Sequence, residues 1–276
     1  MQTEQLVAQH YAHGSLEQTI LNALAAAGKD LNRLTPKDLA PVDEFHVGGR
    51  LATVAFAEQF DPQPGMRLLD IGCGLGGAAR YFAQEHECSV SGIDLSGEYV
   101  EVANALAARV GLGARVSCRQ GSALALPFAP GSFDAVYMFH VGMNIEDKSR
   151  LFAEVRRVLA PSGRFGIYDV MRLAGGDLSY PVPWASGPES SFVAEPATYR
   201  GLLAAAGFEV LKERVRRDFA LEVFAQMRAK GAAAGPAPLG LHIVMGATAA
   251  QKVKNMIGDI TSGLIAPTEM ICAARA

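Results

Sequence analysis

The segment Leu68-Leu69-Asp70-Ile71-Gly72-Cys73-Gly74-Leu75-Gly76-Gly77 carries the strongest structural signal in this chain of 276 residues. A short apolar run is followed directly by four glycines, and helical periodicity begins after them. This order predicts a strand that turns through a glycine-rich loop into a helix. Such loops bind ligands at the carboxyl ends of strands, because a Cβ atom would hold the backbone away from the ligand. The N–H groups at the helix start favour an anion or a carboxylate.

Short apolar runs alternate with amphipathic helical patterns on the carboxyl-terminal side of this loop. The predicted strands are Arg67–Ile71, Ser89–Asp94, Val116–Gln120, Phe133–Met138, Phe165–Val170, Phe208–Arg216 and about Glu269–Ala274. The predicted helices of this part lie near Ala78–Glu87, Glu98–Val110, Glu146–Leu159, Ala197–Ala206 and Leu221–Lys230. Strands joined by helices pair in parallel through right-handed crossovers. The pattern therefore predicts an α/β fold with a doubly wound, mostly parallel, seven-stranded Rossmann-like sheet.

The flanks of this core have different patterns. Residues 1–64 are predicted to form an N-terminal helical cap, with a turn at Leu34–Val42 before a helix at Gly49–Gln59; DPQPG at 61–65 is the linker. Residues 65–217 form the predicted cofactor-binding core, and its Gly/Pro/Ser-rich acceptor loop, 172–195, is expected over the sheet edge. Residues 218–276 are predicted to supply a helical lid before the last strand.

Composition excludes several classes of protein. Hydrophobic residues make up 50% and charged residues 19%, which argues against disorder and coiled coils. The net charge of −3 gives no basic footprint for nucleic acid or an anionic membrane. The four cysteines lack the spacing of a metal site and suit a reducing compartment. With no apolar run of membrane-spanning length and no signal-peptide pattern, we expect a cytoplasmic protein, monomeric or homodimeric, that binds a small molecule.

Asp94 completes the ligand signal. It ends the second predicted strand 22 residues after Gly72, a position from which a carboxylate accepts hydrogen bonds from ribose hydroxyls. The loop and Asp94 together indicate an adenosine-containing ligand. Nicotinamide dinucleotides share this geometry, but the Asp70 carboxylate beside the glycines would repel a pyrophosphate. A cationic ligand such as S-adenosylmethionine suits that position better.

The core motifs resemble those of class I S-adenosylmethionine-dependent methyltransferases that act on small molecules. The similar segments are LLDIGCGLGG, GIDLS, GSALALPFAPGSFDAVYMF and LAPSGRFGIYDV, in the family's order over residues 66–170. The resemblance implies that S-adenosylmethionine is the cofactor and that Ser122 and Ala123 lie beside its adenine. Many family members have an aspartate in place of Ser122. The cofactor-binding residues implied within the core are Asp70, Gly72, Gly74, Gly76, Gly77, Asp94, Leu95, Ser122, Ala123, Phe139 and His140.

The flanking segments QHYAHG, DEFHVGGR and PVPWASGPESSF are similar to those of bacterial enzymes near the glycine, sarcosine and dimethylglycine N-methyltransferases and the phosphoethanolamine methyltransferases. This resemblance implies cofactor contacts from Tyr11, Gly48 and Gly49. The histidine that follows the fourth strand in the phosphoethanolamine enzymes corresponds to Asn144. Asparagine cannot act as a general base, which argues against that substrate and against a Tyr–His base pair.

Methyl transfer depends mainly on alignment of the acceptor with the methyl group, and a hydroxyl acceptor also needs a proton acceptor. The candidate catalytic residues are His140, Tyr11 and Asn144. The candidate substrate-binding residues are Tyr168, Trp184 and His242, and no metal site is expected. The acceptor atom is left open among nitrogen, oxygen, sulfur and carbon, and nitrogen or oxygen is favoured.

Three other functions compete with this interpretation. A nicotinamide-dependent oxidoreductase is disfavoured by Asp70 and by the lack of a Tyr-x-x-x-Lys motif. A nucleic-acid methyltransferase is disfavoured by the acidic charge and by FHVG where an Asn/Asp-Pro-Pro-Tyr/Phe motif would stand. The predicted lid argues against a protein that only binds the cofactor.

Overall fold

The computed structural model describes residues 2–10, 14–234 and 237–275. The strands within these ranges are β1 Arg67–Ile71, β2 Ser89–Asp94, β3 Val116–Gln120, β4 Phe133–Phe139, β5 Leu159–Arg172, β6 Phe208–Val215 and β7 Ile265–Ala274. They form one sheet in the order β3-β2-β1-β4-β5-β7-β6. Strands β1 to β5 pair in parallel, whereas β7 runs antiparallel to β5 and β6. The predicted doubly wound, mostly parallel sheet is confirmed.

Helices cover both faces of the sheet. Those in the described residues are α1 Gln2–His10, α2 Leu16–Ala26, α3 Pro36–Asp43, α4 Gly49–Phe60, α5 Gly77–Glu85, α6 Gly97–Arg109, α7 Lys148–Val158, α8 Pro196–Ala205, α9 Arg217–Ala234, α10 His242–Met245 and α11 Ala249–Thr261. None of these helices combines the length and hydropathy that a membrane-spanning segment requires.

Strand β1 lies inside the sheet, and its neighbouring side chains point to opposite faces. Leu68 packs on one face with Phe82 of α5, and Leu69 packs on the other with Phe152 of α7. Burial on both faces explains why the strand is a continuous apolar run rather than an alternating one. It also fixes the position of the glycine loop that follows Ile71.

The predicted turn at Leu34–Val42 is wrong, because this segment contains α3. Thr35 and Asp38 form a capping box in which the Thr35 N–H donates to Asp38 Oδ2 at 2.9 Å. Pro36 occupies the first helical turn, where a missing N–H costs nothing. The helix then buries Leu39 and Val42 against the rest of the N-terminal segment.

Other differences concern the ends of elements. Strand β5 begins at Leu159 rather than Phe165 because Leu159 pairs with Phe133 of β4. Strand β7 begins at Ile265 rather than Glu269 because Ile265 pairs with Arg172. Helices α9, α10 and α11 lie between β6 and β7, in the predicted order. The division into a cap, a core and a lid at residues 64 and 217 stays a prediction.

Candidate active site

A cavity of about 270 Å³ lies at the carboxyl ends of β1, β2 and β4. Strand order reverses between β1 and β4, so this is the crevice in which doubly wound sheets bind ligands. Helices α1, α3 and α10 and the acceptor loop also contribute to its wall. The predicted site residues that line it are Asp70, Gly72, Gly74, Asp94, Leu95, Ala123, Phe139, His140, Asn144 and Trp184.

The glycine loop forms one wall of the cavity. Gly72 has φ +66°, and a Cβ atom there would lie 2.4 Å from Cγ2 of Val141. Gly74 has φ +51°, and a Cβ atom there would meet no atom within 4 Å. Because Gly74 lines the cavity, a side chain at this position would occupy space that is open to a ligand. The space in front of Gly74 would allow the close approach of backbone to ligand that the sequence predicts, and the contact itself stays a prediction.

The Asp94 carboxylate is held in a fixed orientation. Its Oδ2 accepts a hydrogen bond from the Gly74 N–H at 2.9 Å, and its Oδ1 accepts one from the Ser96 N–H at 2.9 Å. Burial raises the pKa of Asp94, although these backbone hydrogen bonds oppose the shift. Burial also raises the pKa of Asp70, well above the ordinary range of a carboxyl.

A buried ion pair, which the sequence analysis missed, joins α3 to α5. Arg80 is fully buried and donates to Asp43 Oδ2 at 2.6 Å and to the Leu75 carbonyl at 2.7 Å. Asp43 lines the cavity, and its Oδ1 is buried without a hydrogen-bond partner among the described residues. Burial raises the pKa of Asp43 against the influence of the Arg80 charge. Both side chains of this pair are fully enclosed, so the pair holds α3 against α5 beside the glycine loop.

His140 directly follows β4 with a left-handed backbone conformation, φ +53°. Its N–H donates to the Tyr168 carbonyl at 2.7 Å, and its ring centroid lies 5.2 Å from that of Tyr168. The His140 Nε2 atom is buried without a hydrogen-bond partner among the described residues. Burial, with a contribution from His46, lowers the pKa of His140 well below its ordinary value. The structure thus places an uncharged imidazole in the cavity wall.

His46 is a second cavity residue whose place the sequence did not establish. Its ring stacks on Phe139 with centroids 4.8 Å apart, and its Nε2 contacts the Gly49 carbonyl at 3.1 Å. Burial lowers the pKa of His46 to about 4. Both imidazoles in the wall are therefore uncharged at neutral pH.

Asn144 and Trp184 connect the turn after β4 to the acceptor loop. The Asn144 Nδ2 donates to the Trp184 carbonyl at 2.8 Å and to the Ser190 carbonyl at 3.1 Å. The Trp184 side chain is 2% exposed, and its Nε1 donates to Ser191 Oγ at 3.0 Å. Asn144 thus holds the loop that carries Trp184, and a catalytic role for it stays a prediction.

The remaining predicted site residues lie outside the cavity lining or outside the described residues. Tyr168 is buried beneath the wall, where its hydroxyl donates to the Val47 carbonyl at 2.9 Å. The Ser122 hydroxyl donates to Glu4 of α1, which does line the cavity. His242 begins α10, whose Val244 reaches the cavity instead. The glycines outside the lining are Gly76, Gly77, Gly48 and Gly49. Tyr11 lies outside the described residues.

Comparison with known proteins agrees with this geometry. Residues 69–167 match a family described as "Methyltransferase domain". A probable tocopherol O-methyltransferase of Oryza sativa subsp. japonica is 40% identical over 114 residues, 41% of this chain and 31% of that protein. The chain spans less than half the length of the curated relatives it matches.

Solved structures extend the comparison to almost the whole chain. The geranyl diphosphate C-methyltransferase of Streptomyces coelicolor A3(2) superposes with a TM-score of 0.71, covering 99% of this chain and 98% of that one at 17% identity. The [4+2]-cyclase SpnF superposes with a TM-score of 0.70, covering 99% and 97% at 24% identity. The fold is therefore confirmed over nearly the full length, and the resemblance to methyltransferases is confirmed over residues 69–167.

Proposed function

We propose that this protein transfers a methyl group from S-adenosylmethionine to a small-molecule acceptor. The observation that carries the proposal is a single cavity that joins the glycine loop to carboxyl groups. Asp94, Asp43 and Asp70 all belong to the residues that line this cavity. A cavity lined by these carboxyl groups fits a ligand that carries ribose hydroxyls, a cationic centre and an α-ammonium group. When bound, S-adenosylmethionine supplies a methyl group activated by its positively charged sulfur.

The residues have separate tasks in this proposal. Asp94 binds the ribose, and the turn at Gly72–Gly74 lies against the amino-acid tail. The N–H groups of this turn are held inside the protein, those of Gly72 and Cys73 by the Ile93 carbonyl and that of Gly74 by Asp94, so its shape is fixed before the ligand binds. Glu4 and Ser122 join α1 to the loop that carries Ala123, on the adenine side. Placing the acceptor and the methyl donor side by side in one cavity supplies much of the rate acceleration. His140 lines the cavity and is our candidate proton acceptor.

The sequence-based expectations about context belong to the same proposal. We infer a small-molecule partner rather than nucleic acid, a cytoplasmic location, and a monomer or homodimer. The alternative, a nicotinamide-dependent oxidoreductase, would place a pyrophosphate on the glycine loop that follows Asp70.

Titration calorimetry tests the cofactor. The unmodified protein is expected to bind S-adenosylmethionine and S-adenosylhomocysteine but not NAD. Asp94→Asn is expected to weaken S-adenosylmethionine binding by about 1–3 kcal/mol, because an amide replaces one charged acceptor of the ribose hydroxyls.

Asp134→Asn is the matched control. Asp134 lies at the start of β4, far from the cavity lining, and pairs with the exposed Arg67 at 2.7 Å. Its replacement is expected to leave affinity for the cofactor unchanged. Preferential binding of NAD, or equal affinity in Asp94→Asn and the unmodified protein, would contradict the proposed function.

A further inference from the structure

The cavity has a second end, beyond the carboxyl end of β4, that the proposed cofactor contacts do not use. We call it the acceptor end. It is lined by His140, Val141, Met143, Asn144, Pro183 and Trp184. The turn after β4 and the acceptor loop supply these residues, and Asn144 ties the two together through its hydrogen bonds to the Trp184 and Ser190 carbonyls.

Apolar surface dominates the acceptor end. Met143 is 3% exposed and Trp184 is 2% exposed, and both belong to a hydrophobic cluster that includes Val170 and Val182. Val141 packs against the glycine loop on the opposite side. The Asn144 amide is already engaged with main-chain carbonyls. A bound molecule therefore meets mostly carbon and sulfur atoms here, which favour an apolar body.

The charges of the cavity wall also favour an uncharged acceptor. The charged side chains that line it among the described residues are the carboxylates Glu4, Asp43, Glu44, Asp70, Asp94, Glu146 and Asp147. The basic residues of the lining are His140 and His46, and burial keeps both imidazoles uncharged. Lys148 lies outside the lining, where its Nζ donates to the Ile145 carbonyl at 2.8 Å and to the Phe192 carbonyl at 2.6 Å. The Arg80 charge is neutralised by Asp43, and the Arg50 charge by Glu44. An anionic acceptor would lose its hydration at the acceptor end without gaining a positively charged partner in the lining.

The acceptor end also offers no close negative partner to a cationic acceptor. The carboxylates Asp94, Asp43 and Asp70 lie along the glycine loop rather than at the acceptor end, and Glu146 and Asp147 are exposed. Asp147 is further engaged as the cap of α7, where its Oδ1 accepts from the Arg150 N–H at 2.9 Å. Burying a cation at the acceptor end would thus leave it without a close counter-charge.

We propose that the methyl acceptor is an uncharged molecule with an apolar body, and that Met143 and Trp184 determine this specificity by packing against that body. The inference rests on the proposed methyl transfer and specifies the class of its substrate. It excludes acceptors that carry a phosphate or carboxylate next to the methylated atom. Such anions would be buried among uncharged side chains that offer them no positively charged partner.

A matched series of probes tests the inference by binding alone. The probes are para-butylphenol, para-butylbenzoate, para-butylphenyl phosphate and para-butylbenzylamine, each titrated into the protein saturated with S-adenosylhomocysteine. Trp184 is the only tryptophan in the chain and lines the acceptor end, so quenching of its fluorescence reports occupancy directly. The uncharged phenol is expected to bind at least about tenfold more tightly than each charged probe.

Two variants connect the preference to the proposed residues. Met143→Ala is expected to weaken phenol binding by about tenfold while the affinity for S-adenosylhomocysteine stays unchanged, which also shows that the variant folds. Met227→Ala is the control, because Met227 is 56% exposed on α9, and it is expected to change neither affinity. Trp184→Phe keeps an aromatic wall and is expected to retain most of the phenol affinity by calorimetry.

The outcomes separate the two proposals. Tight binding of S-adenosylhomocysteine together with a preference for the benzoate, the phosphate or the amine would overturn the inference and leave the proposed function intact. Absence of millimolar binding by all four probes would overturn it as well. Failure of the unmodified protein to bind S-adenosylhomocysteine would overturn the proposed function and this inference with it.

Discussion

Gly72 shows how one residue links the backbone of the glycine loop to the wall of the cavity. Its φ of +66° is unfavourable for other residues, and Val141 occupies the space in which a side chain would lie. Gly131 has nearly the same backbone angle, φ +67°, but a Cβ atom there would meet nothing within 4 Å. Comparing alanine substitutions at Gly72 and Gly131 therefore separates the cost of backbone strain, which both share, from the cost of steric overlap, which only Gly72 has.

Gly131→Ala is expected to lower the free energy of unfolding by about 1–2 kcal/mol through backbone strain alone. Gly72→Ala is expected to lower the free energy of unfolding by about 1–3 kcal/mol more than Gly131→Ala does, because its methyl group must displace Val141. The double variant with Val141→Ala should recover part of this additional loss. Urea denaturation measures all three values, and an equal loss in both single variants would refute the steric explanation.

At the scale of elements, Asp169 of β5 joins the strand to α8 and to the turn Gly142–Asn144 in the cavity wall. Its Oδ2 accepts from the Tyr199 hydroxyl at 2.5 Å, and a Cβ atom on Gly142 would lie 2.4 Å from the same oxygen. Burial raises the pKa of Asp169 to about 6, against the Tyr199 hydrogen bond and the Lys148 charge. The carboxyl is therefore less stable as an anion in the fold than in the unfolded chain.

This shift predicts a pH dependence of stability. Between about pH 4 and pH 6 the folded Asp169 binds more protons than the unfolded one, so its contribution to the free energy of unfolding falls as pH rises. Relative to Asp169→Asn, the unmodified protein is expected to lose about 3 kcal/mol of stability across this window and to change little above it. Urea denaturation of both proteins from pH 4 to pH 8 measures the difference. If the stability of the unmodified protein relative to Asp169→Asn stays constant or rises with pH, Asp169 does not titrate in this way.

The accuracy of prediction from sequence also differs between elements. Strands β1 to β4 and the position of Asp94 were predictable, because apolar runs and a glycine loop are local signals. Helix α3 was missed because Pro36 and Pro41 are turn signals, whereas Pro36 in fact occupies the first helical turn.

The Asp43–Arg80 pair was not predictable for a related reason. These residues lie 37 positions apart, and a buried charge is tolerated only where the fold brings its partner to it. The segment DEFHVGGR pointed to this region through Gly48 and Gly49, but the cavity uses the first half of the segment, Asp43 to His46. The packing of α3 and α4 decides which residues of this segment face the cavity, and the sequence of the segment alone does not show it.

For the whole molecule, the cavity brings together segments from both ends of the described chain. Glu4 of α1 accepts a hydrogen bond from Ser122, and Val244 of α10 packs with the buried face of α2 while it also lines the cavity. The matched family segment, residues 69–167, therefore supplies only part of the wall.

Hydrogen exchange tests whether the flanks belong to the site. Binding of S-adenosylhomocysteine is expected to slow amide exchange in α1 and α10 as well as in the glycine loop, because all three line the cavity. Strand β6 lies at the opposite edge of the sheet and serves as the internal reference, with unchanged exchange. Slower exchange confined to residues 69–167 would show that α1 and α10 do not take part in binding S-adenosylhomocysteine.

The position of β7 between β5 and β6 also has a consequence for biosynthesis. Strand β6 has β7 as its sheet neighbour, yet β7 follows it by fifty positions in the chain, from Val215 to Ile265. While the ribosome is still producing α9 to α11, the nascent β6 has no strand with which to pair, and its main-chain groups are available to other chains. The sheet can be completed only after residues 265–274 have emerged from the exit tunnel.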